Sequence, residues 1–167
     1  MSKPVTGGCH CGQLRYQIDA APVSHLICHC SGCYQRWGPY TSISFFPRAA
    51  VRLDGEHRSF PGVGGTGSPV ASLACSHCGQ FVSAEIAVAP TVTLVFAPTL
   101  DDQSVFQPRV HAWVSEKPDW VSIDDDLPQC KYSFQWHHLG VEPYFGAAPE
   151  QLPDKVRELL ASGKKRC

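Results

Sequence analysis

Apolar and polar residues alternate along several short stretches of this chain, with the period of two that marks a strand buried on one face. In "GQLRYQID" (Gly12 to Asp19), Leu14, Tyr16 and Ile18 share one side of such a strand. "YTSISFF" (Tyr40 to Phe46) is aromatic and β-branched, which suits a pleated surface. "FVSAEIAVA" alternates again, and "TVTLVFA" reads as a buried strand. "PRVHAWVS" (Pro108 to Ser115) sets Val110, Ala112 and Val114 against Arg109, His111 and Trp113. "AAVRLDGE" runs into Asp54-Gly55, a tight turn of the hairpin type. "FPGVGGTGSP" (Phe60 to Pro69) holds Gly62, Gly64, Gly65 and Gly67 between prolines and predicts a mobile loop. One segment has the helical period: "PDKVRELLASGKKR" places Val156, Leu159 and Leu160 on one face, with Asp154 at its start and Gly163 at its stop. The expected fold is mainly β, with short helical segments and a C-terminal helix.

Composition sharpens this picture in few places. The 167 residues suit one domain with a sizeable core, and 14 Gly with 14 Pro favour turns over long helices. The formal charge of −1 gives no basic excess for nucleic acid, so no nucleic-acid partner is expected. The longest apolar passage, "AVAPTVTLVFAPTL", is cut by Pro90 and Pro98, and no membrane span is expected. "MSKPVTGGCH" has no apolar core of a signal peptide, which points to the cytoplasm. Thiols stay reduced there, and the odd count of 9 cysteines argues further against a full disulfide set.

Seven of those cysteines are grouped as "CHCG" (Cys9 to Gly12), "CHCSGC" (Cys28 to Cys33) and "CSHCG" (Cys75 to Gly79). In an extended CxC segment the two sulfurs share a face and the residue between points away. Cys9 and Cys11 then lie opposite His10, and Cys28 and Cys30 opposite His29. A CxxC segment instead folds into a tight knuckle, as expected at Cys75–Cys78 and Cys30–Cys33. Soft thiolates in tetrahedral number select zinc. Cys9, Cys11, Cys75 and Cys78 supply the four sulfurs of a closed structural site, tying together segments about 65 residues apart in a loop costly to close unaided. Cys28, Cys30 and Cys33 supply three, and a catalytic zinc keeps one position open. Spacing leaves other partitions open. Cys130, His29, His77 or His111 could complete the second site, a single zinc could leave spare thiols, or either CxxC could be a redox pair. Cys167 reads as a free, solvated thiol.

These motifs resemble the glutathione-dependent formaldehyde-activating enzyme family, which also includes the centromere protein V domain. The order CxCG, CxCxxC, CxxCG and its approximate distances match, and "HAWVSEKPDWVSIDDDLPQC" (His111 to Cys130) is similar to the family's C-terminal signature. The resemblance implies a zinc-bound β-tent-like domain over residues 1–135, followed by an extension at 136–167 with a short helix. It implies two zinc ions per chain: a structural one on Cys9, Cys11, Cys75 and Cys78, and a second, at the catalytic site, on Cys28, Cys30 and Cys33. It implies a carbon-sulfur lyase resembling S-hydroxymethylglutathione synthase, joining glutathione to formaldehyde. Cys130 departs from the family's usual residue at that place.

Charge suits that chemistry. Three thiolates around Zn²⁺ leave a net charge of −1, a weak Lewis acid for activating water but a good seat for an incoming thiol, whose pKa of about 8.5 falls on binding metal. The expected partners are a small thiol and a small aldehyde. Arg36 and Trp37 follow the second cluster in "YQRWGPY" and are candidates to line the pocket and meet a carboxylate. The plainer assignments are a surface arginine and a core tryptophan. His111 reads as a satisfied structural histidine, and Asp124 to Asp126 as a solvated turn rather than a calcium loop. The rival reading is a non-catalytic zinc-stabilised β module that binds a partner, or a relative acting on another carbonyl or thiol. Oligomeric state leaves no mark in the sequence.

Overall fold

A computed structural model describes residues 3–87 and 89–132. The expected C-terminal helix, the extension at 136–167 and Cys167 lie outside these residues. In chain order the elements are β1 (Val5–Gly8), β2 (Arg15–Ile18), β3 (Ser24–Cys28), α1 (Ser31–Trp37), β4 (Thr41–Pro47), β5 (Val51–Asp54), β6 (His57–Val63), β7 (Pro69–Cys75), β8 (Phe81–Ile86), β9 (Val92–Phe96), β10 (His111–Ala112) and β11 (Gln129–Cys130), with four short 3-10 turns. The fold is mainly β, as expected.

A large sheet of eight strands runs β11-β10-β3-β4-β9-β8-β7-β6, and a small one runs β1-β2-β5. All pairings are antiparallel except those of β10, which lies parallel to both β3 and β11. The large sheet is covered on both sides at its centre. Phe46, Val82 and Val95 face a core shared with Leu14, Tyr16 and Ile18 of the β2 region. Phe45, Leu94, Phe96 and Ala84 face a second core with Leu26, Ile43 and Trp113. This double burial explains why β9 is apolar at nearly every position and buried at all of them, and why β4 departs from simple alternation.

Two expectations are corrected. Asp54-Gly55 does not close a hairpin: β5 pairs with β2, while β6 pairs with β7 in the other sheet. The turn is where the chain changes sheets. Gly55 has φ of 113°, and a Cβ there would stand 2.0 Å from the Gln13 carbonyl oxygen. The expected mobile loop from Phe60 to Pro69 is instead the tip of the β6–β7 hairpin, with Phe60 to Val63 paired in register. Its turn is closed by Gly64 N–H donating to the Ser68 carbonyl at 2.9 Å and Gly67 N–H to the Gly64 carbonyl at 2.9 Å. Glycine richness here serves close packing, since the tip folds over the second thiol cluster.

The strand expected over Pro108 to Ser115 shrinks to His111 and Ala112, both buried. Trp113 ends it at φ of 63°, the one positive φ outside glycine among the described residues. An indole residue in this region costs roughly 1–2 kcal/mol of backbone preference. The side chain it places is buried in the second core.

Candidate functional site

The sulfurs of Cys9, Cys11, Cys75 and Cys78 lie within 4.8 Å of one another, as do those of Cys28, Cys30 and Cys33. Each group could hold a metal ion, and each belongs to a different core.

The group of four joins two knuckles. Cys75 N–H donates to the Gln80 carbonyl, Gly79 N–H donates back to the Cys75 carbonyl at 2.9 Å, and Gly79 takes φ of 75°. The expected extended shape at "CHCG" is corrected to a matching turn: Gly12 N–H donates to the Cys9 carbonyl at 3.0 Å, Gly12 has φ of 77°, and Leu14 N–H donates to Cys9 Sγ at 3.2 Å. A turned chain aims amide hydrogens at sulfur, which an extended one cannot. Cys9 and Cys11 sulfurs approach to 3.3 Å and Cys11 and Cys75 to 3.8 Å. His10 does point away, and Gln80 clamps the knuckles by accepting from the His10 amide at 2.6 Å. A slip in β7–β8 pairing between Leu73 and Ala74 re-aims the strand just before Cys75. Burial opposes ionisation of Cys9, yet the Leu14 amide and the three neighbouring thiols bring its pKa down to about 6.

The group of three sits where β3 ends and α1 begins. Cys28 and Cys30 are extended with sulfurs on one side, as expected. Cys30 to Cys33 form the first turn of α1 rather than a free knuckle: Cys30 is the N-cap, and its sulfur accepts from Cys33 N–H at 3.4 Å. Glu116 Oε2 accepts from Ser31 N–H at 2.7 Å, placing a carboxylate at the helix start. The hairpin tip closes over Cys30, whose sulfur also accepts from the Gly65 amide. Hydrogen bonds from the Cys28 and Cys33 thiols, helped by these two amides, hold Cys30 at about 3, while the same contacts and burial push Cys28 up. The donor set is thus soft and close, with the charge gathered on Cys30, which fits a thiophilic ion such as zinc. Cys130 is fully buried on β11 but is not in this group, and neither is any histidine among the described residues.

His29 and His111 pair with each other, away from the three sulfurs. Asp125 accepts from His111 Nε2 at 3.0 Å, which fixes the His111 tautomer and leaves Nδ1 to accept from His29 Nε2 at 2.8 Å. His111 is therefore a satisfied buried histidine, as read from the sequence. Asp125, from the acidic run, is held below the usual carboxylate range by the His111 hydrogen bond.

The three sulfurs open into a cavity of about 130 Å³ walled by both sheet and hairpin. Trp37 and Arg36 stand at its edge, and both also line a neighbouring groove with Tyr40 and Gln80. Trp37 packs edge-on against Phe81 at 4.6 Å and tilted on Phe96 at 4.7 Å. Exposed Arg36 reaches Ser72 Oγ with Nη1 at 3.4 Å. Gly65, Glu116 and Trp113 are site residues that the sequence reading missed. The one available signal was the pair Gly64-Gly65, which permits a close backbone approach.

No helix among the described residues is long and apolar enough to cross a membrane. The sequence profile of the family described as glutathione-dependent formaldehyde-activating enzyme matches residues 4–116, a span that includes all seven clustered cysteines. A Halomonas elongata protein provisionally named as such an enzyme is 29% identical over 151 residues, covering 81% of this chain and 96% of that protein. A solved Rhodobacter sphaeroides protein overlaps 74% of this chain and 98% of its own at a TM-score of 0.47 and 16% identity.

Proposed function

This chain belongs to the glutathione-dependent formaldehyde-activating enzyme family, and from that premise we propose that it adds a thiol, glutathione, to a small aldehyde at the site of Cys28, Cys30 and Cys33, in a domain spanning 1–135. The observation that carries this reading is the inequality of the two clusters: four sulfurs gather in one and three in the other, and the three line a cavity. In this reading Cys9, Cys11, Cys75 and Cys78 hold a structural zinc, and Cys28, Cys30 and Cys33 hold a second. When bound at the three-sulfur site, zinc supplies a position where an incoming thiol is favoured as its thiolate.

The chain's own residues do the rest. The Gly65 and Cys33 amides support charge on Cys30. Arg36, at the cavity edge, is placed to pair with a carboxylate of the tripeptide. The walls hold the two reactants side by side, which for well-oriented partners removes much of the barrier. Thiol ligands of this kind persist in a reducing cytoplasm, where we place the protein.

Exchange NMR of formaldehyde with glutathione tests the reading, with and without the zinc-loaded protein. Acceleration of hemithioacetal exchange is expected, and its loss in Cys28→Ser, which should remain folded with one zinc instead of two. Cys75→Ser should instead unfold or aggregate. A fully active Cys28→Ser protein would contradict the site assignment, and a Cys75→Ser protein as stable as the parent would contradict the structural one.

A further inference from the structure

The cavity beside the three sulfurs is larger and more apolar than a one-carbon aldehyde requires. Its interior is formed by Leu26, Ile43, Phe45, Leu94, Phe96 and Trp113, all buried. Apart from the sulfurs, its polar side chains are Thr66, Ser72 and Arg36. Its volume of about 130 Å³ is near that of a cavity of roughly 150 Å³, lined by similar residues, that admits benzene. A bare carbonyl would leave most of this wall facing empty space or badly placed water. Glutathione cannot fill it either, because its carboxylates and ammonium would be desolvated against hydrocarbon. The charged body of the tripeptide belongs at the edge with Arg36, with only its sulfur reaching inward.

From this we infer that the carbonyl substrate is an aldehyde with a hydrocarbon chain or ring of roughly six carbons, seated in the cavity with its carbonyl carbon toward the sulfurs. The inference rests on the thiol-addition reading and names its substrate class. In the step itself the thiolate sulfur adds to the carbonyl carbon. One C–S bond forms, the C=O π pair moves to oxygen, and that oxygen takes up one proton, equal to the one the thiol released. No oxidant or reductant is needed.

The test uses the full-length zinc-loaded protein with glutathione and a series of formaldehyde, propanal, butanal, pentanal, hexanal and decanal, followed by exchange NMR. From propanal to hexanal the electrophile is nearly constant, so chain length reports burial. KM should fall about fourfold per methylene and stop falling before decanal. A second readout needs no reaction: 1-hexanol, which has no carbonyl, should quench tryptophan fluorescence, and propanol should do so far more weakly. Ala84→Leu places extra carbon in the cavity and should weaken hexanol binding about tenfold while lowering the hexanal to formaldehyde ratio of kcat/KM. If that variant does not fold, Val70→Phe at the half-buried rim serves the same purpose. Turnover of formaldehyde, with a flat KM across the series and no hexanol binding, overturns the inference and leaves the thiol-addition reading standing. Exchange with no aldehyde at all removes that reading, and the inference with it.

Discussion

Replacing Gly65 by alanine isolates the contact between the hairpin tip and the three-thiol site. A Cβ at Gly65 would lie 2.8 Å from Cys30 Cβ, 3.0 Å from Trp113 Cε2 and 3.3 Å from Cys30 Sγ. None of these neighbours yields easily, since Cys30 is 2% exposed and caps α1, and Trp113 is 5% exposed. The tip must therefore lift. Overpacking of this kind costs about 1–3 kcal/mol. Lifting also strains the Gly65 amide to sulfur hydrogen bond, worth about 1.5–3 kcal/mol when one partner is charged. These overlap, so a net loss of about 2 kcal/mol is expected, roughly thirtyfold in the folding equilibrium. Urea denaturation should show a lower midpoint at unchanged slope. Metal analysis under mild chelation should show the second ion leaving before the first. Gly12→Ala makes a useful contrast: a Cβ there meets nothing within 4 Å, so only the φ of 77° is strained and the second ion should be unaffected. An Gly65→Ala protein with parental midpoint and parental metal retention would refute the packing argument.

Other outcomes follow from single residues. Phe46 is fully buried in the core shared by the two sheets, and Phe46→Ala should cost about 3–5 kcal/mol by urea denaturation; a loss below 1 kcal/mol would show that this core can collapse around the gap. His25 is buried against Ser44 Oγ at 2.9 Å, and burial, then the Arg109 charge, lowers its pKa. A lowered folded pKa means that the unfolded chain takes the proton first, so this stability is present above about pH 6.5 and lost as pH falls below it. The midpoint should therefore drop between pH 7.5 and 5.5 by less in His25→Gln than in the parent, and an equal drop would be the contrary result. Asp125→Ala leaves the buried His111 Nε2 without its acceptor and should lower the midpoint at pH 7, whereas an unchanged midpoint would make the Asp125, His111 and His29 chain incidental.

The three cysteine motifs, the mainly β class and the strands at Arg15–Ile18, Thr41–Pro47 and Val92–Phe96 were legible in the residues, because motif spacing and side-chain periodicity are local properties. The turn glycine after Cys78 is local too, whereas the matching turn at Gly12 reads from the sequence as extended chain. What could not be read was anything requiring a partner distant in the chain. That β5 leaves β6 for β2 depends on which sheet offers it an edge. That the glycine-rich stretch is a hairpin tip depends on the shape of Cys30 and Trp113 beneath it. The helix at Ser31–Trp37 has no buried stripe to announce it, and Glu116, 85 residues away, supports its first amide. Sequence supplied the three cysteine motifs and favoured a division of four and three among other partitions; the fold brought the four and the three together. Only the packing of the small sheet on one face of the central strands, and of α1, Trp113 and the hairpin tip on the other, decided that the four lie within one core while the three open onto an apolar cavity, because burial on opposite faces of a strand is settled by what covers each face.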